Sequence, residues 1–556
     1  MRKVLNLSLS LVAAAALLAG CATRPPPAAT EPVKVRVLAI NDFHGNLKPA
    51  SSGIRVADSA NPGKTKTLPA GGAEHLATAV AELRRGHPNH VFVAAGDLIG
   101  ATPLLSALFR DEPTIESMNL MGLEMSAVGN HEFDKGADEL LRMQRGGCHP
   151  TDGCKGPAPF KGASYQYLAA STVVDKTGET LLPAYKVKSF QGVPVAFIGL
   201  TLQATPTIVV PAGVAGLTFK GEAETVNALV PKLKAQGIEA IVLLIHEGGV
   251  PTGDYNECPG ISGPIVDIVK KLDKAVDLVV SGHTHRAYNC RIDGRLVTSG
   301  DKYGTIVTAI DIVLDPKTRD ITSAQAENVL VMPTFAKDPR QTALIAQYEA
   351  LAKPLAQRVV GRLGAPLLNT GGSPAGETAL GQVIADAQLA ATQDAGAVVA
   401  FMNPGGIRAP LPMPADGLVR YENLFSIQPF YNNLVTMTLG GAQLLTLLEQ
   451  QWKGQGEQGR ILQVSKGFSY SWDPKRPVGE RVVPGSVKLG GQALDMARNY
   501  RVTVNSFIAS GGDNFVILKE GKDVRTGVMD VDALEAYVKA NPTLAPGPLD
   551  RISRVN

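Results

Sequence analysis

Six short apolar runs between Lys34 and Gly282 dictate what this chain can build. They read KVRVLAI, HVFVAAG, EMSAVG, VPVAFIGL, IEAIVLLI and VDLVVSG. Each has the length of a buried strand, and stretches with helical spacing, such as EHLATAVAELRR and ADELLRMQR, lie between them. Near-continuous apolar strands need cover on both faces. The alternation therefore predicts an α/β domain whose sheets are covered by helices.

Five of these strands end in the same way. VLAI runs into Asn41-Asp42-Phe43-His44-Gly45, VFVAA into Gly96-Asp97, and SAV into Gly129-Asn130-His131. IVLLI runs into His246-Glu247-Gly248-Gly249, and DLVVS into Gly282-His283-Thr284-His285. Burying such groups costs several kcal/mol unless they are paired or hold a metal. Ligand sites of open α/β sheets lie outside the carboxyl ends of the strands. Asp42 and His44 are two residues apart, as are His283 and His285, so in an extended segment each pair faces one way. One Asp or Asn after a strand is most often a turn residue, and one His is most often packed or on the surface. Five strand ends agreeing in one domain, with five of the nine histidines among them, is the informative observation.

Carboxylate, amide oxygen and imidazole together suit divalent metals of intermediate softness, namely Zn, Mn, Co or Fe. The set lacks thiolate, which argues against a structural zinc. Asp42, His44, Asp97, Asn130, His246, His283 and His285 are too many ligands for one ion with an open position. They suit two ions about 3.5–4 Å apart that share a carboxylate. Asp97, a lone acid at a central strand end, is the natural bridge.

NDFHG, GD, GNHEFD, the HEGG histidine and GHTH resemble the calcineurin-type metallophosphoesterase signature. Their order and spacing, with the second half of the chain, resemble the 5'-nucleotidase/UDP-sugar hydrolase family over nearly the whole mature chain. The resemblance implies a four-layer αββα domain with a dinuclear site, followed by a smaller α/β C-terminal domain that binds the nucleoside. Carried over by position, Asp42, His44, Asp97 and His285 hold one metal, and Asp97, Asn130, His246 and His283 hold the other. His285 stands where some members carry Gln. His131 is then aimed at the phosphate, where an imidazolium stabilises developing charge. Asp134 orients it, and Glu132 is structural. The implied reaction is attack by metal-activated hydroxide on the phosphorus of a nucleotide. Nucleoside 5'-monophosphates come first as substrates, with 2',3'-cyclic nucleotides or UDP-sugars as alternatives. A surface lipoprotein that only binds is the reading from another class; it predicts lost ligands, and none is missing.

From Gly361 to Ile552 helical patterns (ETALGQVIADAQLAA, GAQLLTLLEQQW) mix with strand patterns (AGAVVAFM, NLVTMTL, YRVTVNSF). FMNPGGIRAP resembles the family's Asn-x-Gly-Gly-Ile-Arg loop, which maps Asn403 and Arg408 onto substrate-binding positions; an Arg there offers a fork to phosphate or ribose oxygens. QPFYN places Phe430 and Asn432, and NSFIASGGDNF places Phe507 and Asp513, on matching positions. Two aromatics that clamp a base by stacking read any nucleobase. Family members often carry an arginine just before the Glu-Thr opening the ETALGQ helix; here that stretch is NTGGSPAGE, with no basic residue.

Residues 1–20 read as an export signal: Arg2 and Lys3, an apolar run from Leu5 to Leu18, then Leu18-Ala19-Gly20-Cys21, which resembles a bacterial lipobox. Lipidation of Cys21 would tether the chain to a bacterial membrane, facing the periplasm or cell exterior, with no other membrane contact. Residues 21–32 form the extended tether. Residues 33–335 are expected as the metallophosphoesterase domain, 336–360 as a linker helix and 361–556 as the C-terminal domain, since 556 residues exceed one core. Pro354 falls in the last turns of that helix and is placed to end it early. Apart from Cys21, four cysteines remain, and an even count in an exported protein favours two disulfides. Cys148 and Cys154 flank the turn HPTDG, and Cys258 and Cys290 make the other pair; a four-cysteine zinc site is the alternative, without CxxC knuckles. A net charge of +3 with 19% charged residues gives no reason to invoke a nucleic acid polymer. A monomer acting on a nucleotide is expected.

Overall fold

The computed structural model describes residues 30–455 and 459–555. The export segment and Cys21 lie outside the described residues.

Two six-stranded sheets make the first half. One runs in the order Ile321–Leu330, Ile306–Leu314, Val33–Ile40, His90–Ala94, Met125–Ala127, Gln166–Leu168. Its last four strands are parallel, with Val37 opposite Val91 and Val93 opposite Met125. The other sheet runs Ala287–Ile292, Arg295–Gly300, Leu278–Ser281, Ala240–His246, Val193–Thr201, Tyr185–Phe190. Its centre is parallel too, with Ala240 opposite Val195 and Val242 opposite Leu278.

Successive side chains on a strand face opposite ways, and both ways are buried here. Val35, Val37 and Ala39 join Val195, Phe197, Val242 and Leu244 in the core between the sheets. Leu38 and Ile40 pack instead with Leu76, Val80, Ile115 and Met118 of helices Ala73–Arg84 and Glu112–Met121. On the far side Ile198, Leu243 and Ile245 pack with Val226, Val230 and Ile265 of helices Glu222–Ala235 and Pro264–Lys271. The layers are helix, sheet, sheet, helix. This is the four-layer αββα arrangement.

Helix Pro339–Ala356 follows, and its N-cap Asp338 accepts from Arg340 N and Gln341 N. Pro354 does not end it early: the helix continues to Ala356. So near the end the proline removes little of the backbone ladder, and buried Ala352 and Ala356 hold the last turn against the core. Beyond it lies a five-stranded sheet ordered Gln463–Val464, Val399–Met402, Asn499–Asn505, Asn433–Gly440, Lys522–Met529. Helix Ala379–Ala390 contributes Leu380 and Ile384, and helix Tyr421–Ile427 contributes Phe425, to a core that also takes in Leu104 and Ala107 from the first half. That shared core seats the second half beside the carboxyl ends of the first sheet's strands.

Cys148 bonds Cys154 and Cys258 bonds Cys290, which leaves no thiolates for a four-cysteine zinc site. Among the described residues no helix is long and apolar enough to cross a membrane.

Candidate metal centre and interdomain cleft

The carboxyl ends of both sheets meet at one place. The first sheet delivers Asp42, His44, Asp97 and Asn130; the second delivers His246, His283 and His285. His246 is the last residue of its strand and the others follow strands that have just ended; five of them turn through a left-handed backbone: Asp42 (φ 50°), His44 (46°), Asp97 (51°), His283 (70°) and His285 (53°). Non-glycine residues held there cost about 1–3 kcal/mol each and persist only where the surroundings enforce them. The turn folds each side chain back over the strand ends.

Hydrogen bonds then decide which atoms point inward. His44 Nδ1 donates to Gly100 O and His246 Nδ1 to Ala95 O, both at 2.8 Å, leaving each Nε2 free. Asp42 Oδ2 accepts from Asn41 Nδ2 at 2.7 Å and from His283 N at 2.9 Å. Its Oδ1 is buried with no hydrogen-bond partner. That orphan oxygen lies 3.3 Å from His285 Nε2 and 3.8 Å from His44 Nε2, and those two nitrogens are 3.1 Å apart. Asp97 Oδ2 is 3.0 Å from His246 Nε2 and 3.6 Å from His44 Nε2; Asn130 Oδ1 is 3.2 Å from His246 Nε2.

The donors fall into two groups, Asp42–His44–His285 and Asp97–His246–His283, each with its ligand atoms within 4.8 Å of one another. Asp97 connects them. Burial holds His44 and His285 well below the ordinary imidazole pKa. Burial, then the neighbouring His246, pushes His283 down to about 3. Burial also works to lower His246, but the Asp97 carboxylate outweighs it and raises the ring to about 10. Asp97 itself is kept well below the carboxylate range, where burial is opposed by His246, His131 and His44. Imidazole nitrogens, carboxylate oxygens and an amide oxygen, all facing one another, with Asp42 Oδ1 lacking a hydrogen-bond partner, fit a pair of divalent cations.

His131 stands at the edge of this cluster. Its Nδ1 is 2.8 Å from Asp134 Oδ2. Burial works to lower its pKa, but Asp134 and then Asp97 outweigh burial and hold the ring above its ordinary value. Its ring centroid is 5.1 Å from that of His44 and 5.9 Å from that of Phe430, to which it lies at 24°.

Phe430 belongs to the second half of the chain, so the metal cluster and that half share a cleft. The cavity is about 710 Å³. Asn130, His131 and Asp134 line one side, and Asn403, Arg408, Phe430, Asn432, Phe507 and Asp513 the other. Phe430 and Phe507 are half-buried and line the cleft, and Phe507 also packs against the core of the second half. The Arg408 guanidinium sits 5.9 Å over the Phe430 ring, and its Nε and Nη2 are buried without partners. Asn403 is differently placed: its amide donates to Asp513 Oδ2 and accepts from Asn505 Nδ2, both at 2.8 Å. Asn432 Oδ1 accepts from Ser506 Oγ at 3.1 Å. These two asparagines brace the cleft wall.

The model of the calcineurin-like phosphoesterases matches residues 35–287, and that of the 5'-nucleotidase C-terminal domain matches residues 359–520. The chain is 30% identical to a cell wall protein of Listeria monocytogenes, over 92% of this chain and 68% of that one. The chain belongs to the 5'-nucleotidase family of calcineurin-like phosphoesterases. It is 34% identical to an endonuclease of Bacillus subtilis over 92% of its own length, but spans only 40% of that protein. The crystal structure of a 5'-nucleotidase precursor from Thermus thermophilus is similar at a TM-score of 0.76 and 27% identity, covering 94% of this chain and 99% of that one. The family makes this chain a metal-dependent phosphoester hydrolase.

Three further residues hold or line the phosphoesterase site. Glu132, expected to be structural, ties the loop carrying Asp97 to the loop carrying Asn130 and His131. Its Oε2 accepts from Gly129 N at 2.7 Å and Asp97 N at 2.9 Å, and its Oε1 from Leu98 N at 2.8 Å. Asn41 donates to Asp301 O as well as to Asp42, and accepts from Gly300 N, each at 2.7 Å. Tyr303 packs edge-on against both His44 and His285, at 6.0 and 5.8 Å between centroids. Asn41 had a signal, since it sits inside NDFHG; Tyr303 had none.

Proposed function

We propose that this enzyme hydrolyses nucleoside 5'-monophosphates to nucleoside and phosphate. The observation that carries this reading is one cavity holding both ends of such a molecule's requirements. Asn130 and His283 of the donor cluster line it beside His131 and Asp134, and two half-buried phenylalanines line its other side. A phosphate needs the first and a nucleobase fits the second.

The cluster would hold two divalent cations from among Zn, Mn, Co and Fe: Asp42, His44, Asp97 and His285 around one, Asp97, Asn130, His246 and His283 around the other. Bound there, such cations supply Lewis acidity and a lowered pKa for coordinated water. His131, whose pKa Asp134 and Asp97 raise against the pull of burial, would donate to the phosphoryl or leaving oxygen as charge builds there. Arg408, with two buried N–H groups unpartnered, donates to a phosphate oxygen. Phe430 and Phe507 stack the base. Because the two ends lie on different halves, relative movement of the halves would load and release substrate. Two disulfides, and similarity to a cell wall protein, support an exported location. The lipobox ending at Cys21 adds a lipid anchor.

The test is phosphate release from a panel of nucleoside monophosphates, a 2',3'-cyclic nucleotide, UDP-glucose and p-nitrophenyl phosphate. Phe430→Ala and Phe507→Ala should each lose about 1–3 kcal/mol in nucleotide binding, the worth of one stacked base. The loss on p-nitrophenyl phosphate, which has no base, should be much smaller. Equal losses on both substrates would refute nucleotide recognition and leave a phosphoesterase without it.

A further inference from the structure

Asp111 occupies the N-cap position of helix Glu112–Met121, where an aspartate ordinarily accepts from the first free N–H groups of the helix. Here its side chain makes no such bond. The backbone turns left-handed at φ 70°, and the buried carboxylate is directed to the cleft wall instead. Its Oδ1 accepts from Thr102 Oγ1 at 2.6 Å and Ser106 Oγ at 2.9 Å, and its Oδ2 accepts from Lys135 Nζ at 2.7 Å. Burial works to raise the Asp111 carboxyl, but Lys135, then the two hydroxyls, outweigh it and keep it below its ordinary value. The turn is held from outside as well. Neighbouring Arg110 donates from Nε to Asp152 at 2.9 Å, and Asp152 lies in the loop closed by the Cys148–Cys154 disulfide.

Lys135 follows Asp134, the residue that orients His131. Among the described residues, His131 is the only hydrogen-bond partner of the Asp134 carboxylate. One bond cannot fix both of its members, so Asp134 takes its position from its own backbone and from what packs against it. Gly100 packs there: at φ 81°, a Cβ on it would come 2.8 Å from Asp134 Oδ2 and would also meet His131 O. Thr102, two residues on, is bonded to Asp111. Asp111 therefore ties together the two segments that hold the Asp134–His131 pair, residues 100–102 through Thr102 and residues 134–136 through Lys135.

We propose that Asp111 is a positioning residue for His131: by holding Lys135 against residues 100–102, it fixes the Asp134 carboxylate and, through it, the imidazole that faces the phosphate. This goes beyond the proposed function and rests on the role given there to His131. Two features suit Asp111 to the task. Thr102 and Ser106 fix its carboxylate on one side, so the bond offered to the ammonium has one direction. A lysine ammonium is a point charge on a flexible stem. Held by Asp111, it does not compete with His131 for the carboxylate of Asp134, one residue away.

The experiment measures kcat, KM and metal content of the metal-loaded full chain on adenosine 5'-monophosphate and on p-nitrophenyl phosphate. Asp111→Asn and Lys135→Met should each lower kcat about 10–100-fold on both substrates, the scale of displacing a reacting group by about 1 Å, with KM and metal content unchanged. Lys135→Arg, which keeps a cationic donor, should recover most of the loss seen with methionine. In a His131→Ala background neither Asp111→Asn nor Lys135→Met should cost anything further, because the group they position is gone. Losses that add in full in that background would overturn the proposal and make the pair a structural brace. An effect on KM alone, a loss of metal, or wild-type kcat in both variants would overturn it too. If Asp111→Asn fails to fold, Lys135→Met, whose wild-type side chain is 28% exposed, decides the matter. A wild type that cleaves p-nitrophenyl phosphate but not the nucleotide would overturn the nucleotide reading alone, and the comparison on p-nitrophenyl phosphate would still decide the role of Asp111.

Discussion

Glu132→Ala should unfasten the two loops that carry Asp97, Asn130 and His131. The side chain is 2% exposed and accepts three backbone N–H groups, from Gly129, Asp97 and Leu98, at 2.7 to 2.9 Å. A buried donor left without an acceptor costs about 1–3 kcal/mol. Three of them set a range of about 3–9 kcal/mol; the void left by alanine lets backbone and water relax, so the lower part, about 3–5 kcal/mol, is expected. Glu132→Gln keeps the volume and one oxygen but turns an NH₂ group toward a donor, for a loss of about 1–3 kcal/mol. The same bonds place Asp97, so metal affinity should fall by roughly 10–100-fold, as it does when outer partners of metal ligands are removed. Urea midpoints would measure the first effect, and metal content at buffered free-metal concentration the second. An alanine variant as stable as the wild type, with unchanged metal affinity, would refute the clamp. A loss of stability with unchanged metal affinity would make Glu132 a core residue that does not position the ligands.

Asp97→Asn should remove most activity and lower the content of both metals, since Asp97 lies between the two donor groups; full activity at unchanged stoichiometry would sink the shared-carboxylate assignment. His131→Ala should lower kcat by roughly 10²–10³ with metal content intact, as loss of one preorganised donor does; a parallel loss of metal would show that His131 and Asn130 had exchanged roles. Asp277, at the amino end of the strand Leu278–Ser281 whose other end leads to His283, has its pKa pushed up to about 8 by burial first and by Asp320 against the pull of Ile241 N. The folded state therefore keeps a proton that the unfolded chain gives up near pH 4, so this group's contribution to stability declines as pH rises from about 4 to about 8 and is flat above. Asp277→Asn should remove that decline, and thermal unfolding profiles of the two proteins that run parallel across this window would contradict it.

The layers were legible because strand periodicity is local. Val35, Val37 and Ala39 alternate with Leu38 and Ile40 whatever they later touch, and runs apolar on both faces require cover on both. The seven candidate ligands were legible for a related reason: they stand at the ends of five strands, so the recurrence of Asp, Asn and His beside glycine is written along the chain. Helix Pro339–Ala356 was legible in outline but not at its end, where Pro354 sits in the last turn beside packed Ala352 and Ala356. What holds the ligands in place was not legible. Asn41 grips Gly300 and Asp301, some 260 residues away; Glu132 grips Asp97 and Leu98 across two strand ends. Arg460 meets Asp513 only because two loops of the C-terminal half turn toward one cleft. The left-handed turns at Asp42, His44, Asp97, His283 and His285 are likewise enforced from outside, against the preference of the residues themselves. Local pattern determined which residues stand at strand ends. Long-range contacts decided which of their atoms face inward, because a hydrogen bond between distant segments has no periodicity to betray it.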